Sequence, residues 1–267
     1  MYKIGLIGVG NMGEAILSGI LSQGWAKASD IVFTTKTSRR RQYIAETYQV
    51  IPVNNNRELA QATKMIILAT KPNVYPTVID EIKSFVTNDH VIISITPSFS
   101  LDSLRVMFDP KPHLVRAMPN TPAKIGYGVT GICGHERDHE ALRHVESLFA
   151  SIGKTITVEE SQFPLVGTLS GSNPAFIEYL IKAMIDFGIE QGLNEDVARY
   201  LVLNTIGGTV ELIANSELPL ATLIAQVCSK GGSTIEGINC LEKLKVDEAL
   251  KRALLATTKR FKEMELD

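Results

Sequence analysis

Three of the four glycines in the first fourteen residues constrain this chain more than anything that follows them. Tyr2 to Ile7 is a short apolar run of strand type, and Gly8-x-Gly10-x-x-Gly13 comes directly after it. The chain then enters a helical pattern carried by Ala15, Ile16, Leu17 and Ile20. A strand, a glycine turn and a helix in immediate succession form the arrangement that receives a dinucleotide. Gly8 allows the tight turn, Gly10 lets the backbone approach a pyrophosphate, and Gly13 lets the helix lie close on its strand. The pyrophosphate then sits on the free N–H groups of the helix start, at Asn11, Met12 and Gly13.

With 267 residues, 45% of them apolar, the chain is long enough to bury two modest cores, and two domains are expected. A net charge of -2 offers no polybasic surface, so neither nucleic acid nor an anionic membrane is the expected partner. No continuous run of about 18 apolar residues occurs, and no leader pattern precedes the first strand. Cys133, Cys228 and Cys240 are odd in number and lack C-x-x-C spacing, which suits reduced thiols and a cytoplasmic location.

The end of the second strand, Ile31 to Thr35, is where such a fold selects its cofactor. A carboxylate there would hold the 2′-hydroxyl of NAD. This chain has Thr34-Thr35-Lys36-Thr37-Ser38-Arg39-Arg40-Arg41 instead, hydroxyls and cations that favour the 2′-phosphate of NADP(H), with NAD(H) as the lesser alternative. Met65 to Thr70, closed by Lys71-Pro72, and Val91 to Thr96 read as buried parallel strands. Their carboxyl ends, at Ala69, Thr70, Lys71 and Thr96, should border the cofactor crevice, and Asn54 to Asn56 should lie on the same edge. His113 to Met118 continues the series, followed by the rigid Pro119-Asn120-Thr121-Pro122 loop. His135-Glu136-Arg137-Asp138-His139 matches H-E-x-x-H, but it precedes a charged helix without a clear third ligand; it is read as a chance match, and no metal is expected.

Lys154 to Val158 reads as the last strand, which places a domain boundary at residue 158 and leaves 159–267 to helices. Ser170-Gly171-Ser172-Asn173-Pro174 reads as a capped helix start, and Gly192 as that helix's stop. In the next helix Gly207-Gly208 requires close packing of another backbone to offset its cost. Long apolar helices in so small a domain call for a covering surface, and a dimer through this domain would supply one. In Ser229-Lys230-Gly231-Gly232-Ser233-Thr234, a glycine pair leads into two hydroxyls at a helix start, a setting that suits a carboxylate.

Gly8-Val-Gly-Asn-Met-Gly, Lys71-Pro72, Arg116-Ala-Met-Pro-Asn-Thr-Pro122, Ser170-Gly-Ser-Asn-Pro-Ala175 and Cys228-Ser-Lys-Gly-Gly-Ser-Thr234 together resemble the pyrroline-5-carboxylate reductase family across nearly the whole chain. The resemblance implies an α/β fold: an N-terminal Rossmann dinucleotide-binding domain followed by an all-helical C-terminal dimerisation domain, in a homodimer or a decamer built from dimers. It implies reduction of the small molecule 1-pyrroline-5-carboxylate to proline with NAD(P)H. Thr234 would serve the ring nitrogen as the catalytic group, and Ser229, Gly231, Gly232, Ser233 and Thr234 would hold the substrate, with Glu160 and Glu217 lining its site. Gly8, Gly10, Asn11, Met12, Gly13, Thr35, Ser38, Arg39, Asn56, Ala69, Lys71, Pro72 and Gln226 would form the cofactor side. The chain departs from the family pattern at Lys230, where proline is usual, and at Thr96-Pro97-Ser98. Both departures resemble the competence-associated paralogues, so a regulatory NADP-binding protein without turnover stands as the second reading.

Overall fold

The computed structural model describes residues 1–109 and 112–266. The chain forms two compact units, Met1–Pro174 with Thr257–Asp267, and Ala175–Ala256.

The first unit is built on one eight-stranded sheet. Its strands are β1 (Ile4–Ile7), β2 (Ile31–Thr34), β3 (Ile51–Pro52), β4 (Met65–Leu68), β5 (Val91–Ser94), β6 (His113–Met118), β7 (Gly128–Gly134) and β8 (Gly153–Thr157). They are ordered β3-β2-β1-β4-β5-β6-β7-β8. Every neighbouring pair is parallel except β6 and β7, which run antiparallel. Successive strand side chains point to opposite faces, so the sheet is buried on both sides. On one face Ile4, Leu6, Phe33, Ile67, Ile93 and Val115 pack with α1 (Asn11–Ser22), α2 (Ser38–Tyr48) and α6 (His139–Ala150). On the other Ile7, Val32, Ile66, Leu68, Ile92 and Leu114 pack with α3 (Asn56–Ala62), α4 (Tyr75–Ile82) and α5 (Leu101–Phe108), together with Phe163 of the short α7 (Phe163–Val166). The sheet order reverses between β1 and β4, and the crevice outside their carboxyl ends is where an open α/β sheet binds its ligand.

Strand β7 is absent from the sequence reading because three of its seven residues are glycine. The glycines are sterically required: a Cβ on Gly128 would come within 2.9 Å of the Ala123 backbone, and one on Gly131 within 2.5 Å of the Val166 side chain. The expected capped helix start at Ser170 also differs. A π-helical turn, Gly167–Gly171, leads directly into α8 (Asn173–Glu190). Ser170 points back to the strands, its Oγ donating to the Val129 carbonyl at 3.0 Å.

The second unit contains the rest of α8, then α9 (Glu195–Ala214), α10 (Leu220–Val227), α11 (Ser233–Lys243) and the greater part of α12 (Val246–Leu266). Gly192 at φ +95° stops α8, and Asn194 caps α9 by accepting from the Asp196 N–H at 2.9 Å. Few of these side chains are covered within the chain. Tyr179, Phe187, Tyr200, Leu212, Val227 and Leu244 are all more than 60% exposed, and Gly207 and Gly208 face open space. Helix α9 is long and apolar enough, by length and composition, to cross a membrane. Apolar surface on this scale requires an apolar neighbour.

His90, buried at the start of β5, accepts from the Thr87 N–H through Nδ1 at 3.1 Å, and its Nε2 lies 3.0 Å from the Ala60 carbonyl. This pairing fixes the neutral ring with the proton on Nε2. Burial lowers its pKa below the ordinary 6.5. The unfolded chain therefore binds the proton more readily, so this group's contribution to stability falls as pH drops below about 6.5. Urea unfolding at about pH 7.5 and about pH 5.5 should show a smaller acid loss for His90→Asn, whose amide oxygen can replace Nδ1, than for the unmodified protein. Equal losses would contradict this assignment.

Candidate active site

The cofactor side forms at the carboxyl ends of β1, β2 and β4. Gly8 adopts φ +86°, which turns the chain sharply out of β1. A Cβ on Gly13 would lie 2.8 Å from the Gly8 carbonyl, so only glycine lets α1 sit this close to the strand end, whereas the Cβ position of Gly10 is open. Gly10 is the N-cap of α1 and provides no side-chain acceptor, which leaves the first-turn N–H groups of Asn11, Met12 and Gly13 for a ligand's oxygens. These features fit a pyrophosphate.

A cleft of about 490 Å³ opens beside this turn, lined by Gly8, Gly10, Thr35, Ala69 and Lys71 among the expected residues. Val9, Lys36, Thr37, Arg40, Thr70, Asn73 and Val74 complete its wall. Asn73 and Val74 belong to the 3-10 turn that Pro72 begins, and that proline was their only sequence signal. Ser38 and Arg39 lie exposed on the first turn of α2, outside the lining residues. Asn56 has its side chain committed, accepting from the Thr34 hydroxyl and donating to Glu81, each at 2.6 Å. Gln226 lies in the second unit, in the last turn of α10.

Arg116, the first residue of the P-N-T-P motif region, is 1% exposed. Its Nη1 donates to Glu160 and Glu265, each at 2.6 Å, its Nη2 donates to the Pro97 carbonyl at 3.0 Å, and its guanidinium lies 4.7 Å from the Phe163 ring centre. Glu160 also accepts from the Leu101 N–H at 2.7 Å, at the start of α5. Its carboxylate, expected among the substrate contacts, therefore has two partners inside the first unit. Asn120 accepts from the Val129 N–H at 2.9 Å and donates to Ser170. The motif residues Arg116 and Asn120 are thus internal braces that shape the loops at the sheet edge.

The H-E-x-x-H segment also has structural partners. His135 faces Asp102 at 3.1 Å, and the buried Asp138 pairs with Arg105 and His113, each at 2.9 Å. Among the described residues no group of three or more His, Cys, Asp or Glu is placed to hold a metal.

The remaining candidates lie in the second unit. Glu217 is exposed in the loop between α9 and α10. The Ser229 carbonyl accepts from the Gly232 N–H at 3.0 Å, closing a turn in which Gly231 has φ +75°. Lys230 takes the second position of this turn, where proline is favoured, and glycine suits the third. Gly232 is the N-cap of α11 and offers no side-chain acceptor, so the N–H groups of Ser233 and Thr234 begin a helix whose N-terminus is open to an anion.

The sheet order, the glycine turn and the cleft define a Rossmann-type nucleotide-binding oxidoreductase with a helical C-terminal unit. Residues 3–98 match the family described as NADP oxidoreductase coenzyme F420-dependent, and residues 160–264 match pyrroline-5-carboxylate reductase dimerisation. The pyrroline-5-carboxylate reductase of Synechocystis sp. is 34% identical over 98% of each chain, and pyrroline-5-carboxylate reductase 2 of Bacillus subtilis is 31% identical over 99% of this chain and 95% of that one. The Plasmodium falciparum pyrroline carboxylate reductase structure with NADP bound superposes with a TM-score of 0.90 at 28% identity, over 99% of this chain and 98% of that one. The chain belongs to the pyrroline-5-carboxylate reductase family.

Removing the guanidinium of Arg116 would leave two partly buried carboxylates facing each other. Breaking a buried pair in this way typically costs about 3–5 kcal/mol. Arg116→Ala should therefore lower the unfolding free energy by roughly 3 kcal/mol in urea titrations. Arg116→Lys should recover only part of the loss, because an ammonium lacks the planar fork. A loss for Arg116→Ala below about 1 kcal/mol, the range of an exposed pair, would contradict this role.

Proposed function

We propose that the protein reduces 1-pyrroline-5-carboxylate to L-proline with NADPH, the last step of proline biosynthesis, and that NADH is the weaker donor. The observation that carries this reading is the uncapped start of α11 behind the Gly231 turn, in a chain that corresponds end to end to reductases. By function, residues 1–158 are assigned to the cofactor and 159–267 to dimerisation and substrate, although 159–174 and 257–267 pack as part of the first compact unit. The match to a dimerisation family, over helices whose apolar side chains are exposed within one chain, supports a homodimer, the unit from which a decamer of five dimers would be built. Three free cysteines suit a cytoplasmic enzyme.

When bound, the reduced nicotinamide supplies the hydride. The protein's part is to hold the two reactants in a dry site and to manage one proton. The first-turn N–H groups of α1 hold the pyrophosphate, and the Ser233 and Thr234 N–H groups hold the substrate carboxylate, which fixes the ring. A cyclic imine is basic enough to be partly protonated near neutrality, so its carbon is already electrophilic and no strong acid is required. The Thr234 hydroxyl hydrogen-bonds the ring nitrogen as it becomes an amine. The regulatory reading is not favoured, since relatives of matching length carry the reductase name and Lys230 fits its turn without distorting it.

Steady-state NADPH oxidation with pyrroline-5-carboxylate tests the proposal. The unmodified protein should turn over, Lys230→Pro should leave the rate essentially unchanged, and Thr234→Ala should lower kcat by about 100-fold with NADPH affinity little altered. NADPH binding without turnover, restored by Lys230→Pro, would replace this reading with the regulatory one.

A further inference from the structure

A carboxylate beside a site for an anionic cofactor is electrostatically unfavourable unless it holds something in place. Glu14, in the first turn of α1, is such a carboxylate. One oxygen accepts from Tyr48 at 2.9 Å and from Tyr43 at 3.2 Å, and the other accepts from Nη2 of Arg40. Arg40 Nε donates to the Val9 carbonyl, inside the glycine turn, at 2.8 Å, and the guanidinium lies 5.2 Å from the Tyr43 ring centre. One edge of the guanidinium is therefore fixed by two acceptors, and among the described residues its Nη1 has no hydrogen-bond partner. Arg40 lines the cofactor cleft, whereas Arg39 does not.

Resting on the NADPH reading above, we propose that Arg40 is the residue that selects the cofactor's 2′-phosphate and that Glu14 is its positioning residue, clamping Nε and Nη2 against Val9 and α1 so that Nη1 remains as the donor at the cleft wall. The two tyrosines complete the clamp by saturating the other Glu14 oxygen. Burial raises the Glu14 pKa, but hydrogen bonds from Arg40 and Tyr48 outweigh it and hold the carboxyl below its usual value, so it remains ionised at neutral pH. A guanidinium left free on its four-bond side chain would have to be ordered by each ligand that arrives; one already fixed by its neighbours loses less on binding.

The test is calorimetric titration of the purified protein with adenosine 2′,5′-bisphosphate (2′,5′-ADP) and with 5′-AMP, which differ only in the phosphate in question and require no turnover. The unmodified protein should prefer 2′,5′-ADP. Arg40→Ala should reduce that preference by about 10- to 100-fold, the range of one charge-assisted hydrogen bond. Glu14→Ala should reduce it by about 10-fold with 5′-AMP affinity little changed, while Glu14→Gln, whose amide oxygen still accepts from Arg40, should retain most of it. Thermal melts identify any variant that fails to fold, and Glu14→Gln then decides the matter against Arg40→Ala. The proposal is overturned if the unmodified protein does not distinguish the two nucleotides, if Arg40→Ala keeps the preference, or if a folded Glu14→Ala keeps it. Selective nucleotide binding without reduction of pyrroline-5-carboxylate would overturn the reductase reading and leave the clamp standing.

Discussion

The guanidinium of Arg116 is the interaction on which the sheet edge depends. A cation at 1% exposure is tolerable only if it is neutralised and most of its donors are used; here Nη1 and Nη2 are paired, while the buried Nε is not. Glu160 supplies charge from the turn after β8, Glu265 from the end of α12, and the Pro97 carbonyl from the loop after β5. Three segments far apart in sequence thus meet on one side chain. The chain leaves the first unit after Pro174 and rejoins it at Thr257, and Glu265 with Phe261 makes that return specific. Phe261 packs on Gly167, where a Cβ would come within 2.7 Å of its ring, and Thr258 shares a hydrogen bond with Thr168 at 2.8 Å. The C-terminal turns therefore complete the core of the first unit.

In the proposed function the ligands are held by backbone more than by side chains. Both candidate anion sites are helix starts preceded by glycine: Gly10 before α1 in the first unit and Gly232 before α11 in the second. Neither is capped by its own side chain, so both keep N–H groups for a ligand. This accounts for the bland residue set. Under the proposed function, an imine reductase requires orientation and a hydrogen bond to one nitrogen, which a threonine hydroxyl with two glycine turns would supply.

The parallel strands and the glycine turn were legible because they rest on local pattern: apolar runs closed by glycine or proline, with a helix following at once. Strand β7 was not, since Gly128, Gly131 and Gly134 serve close packing against elements distant in sequence and break the strand pattern locally. Three consecutive arginines pointed to a 2′-phosphate, but which of them lines the cleft depends on where Glu14 and the Val9 carbonyl lie, information carried 26 and 31 residues away. The family resemblance offered Glu160 as a substrate-lining carboxylate, but its pairing with Arg116 was not legible, because the arginine lies 44 residues away and the third member of the group, Glu265, 149 residues from the arginine. The apolar faces of α8 and α9 were legible, and the structure adds that the chain itself leaves them exposed.

The central claim is that this reductase works as an assembly made through its helical unit. Sedimentation velocity over a dilution series, with NADPH oxidation measured on the same samples, tests it most directly. The account predicts full specific activity wherever a dimer or larger species persists, and a fall in activity in step with any free protomer that appears on dilution. A protomer with undiminished activity would contradict it.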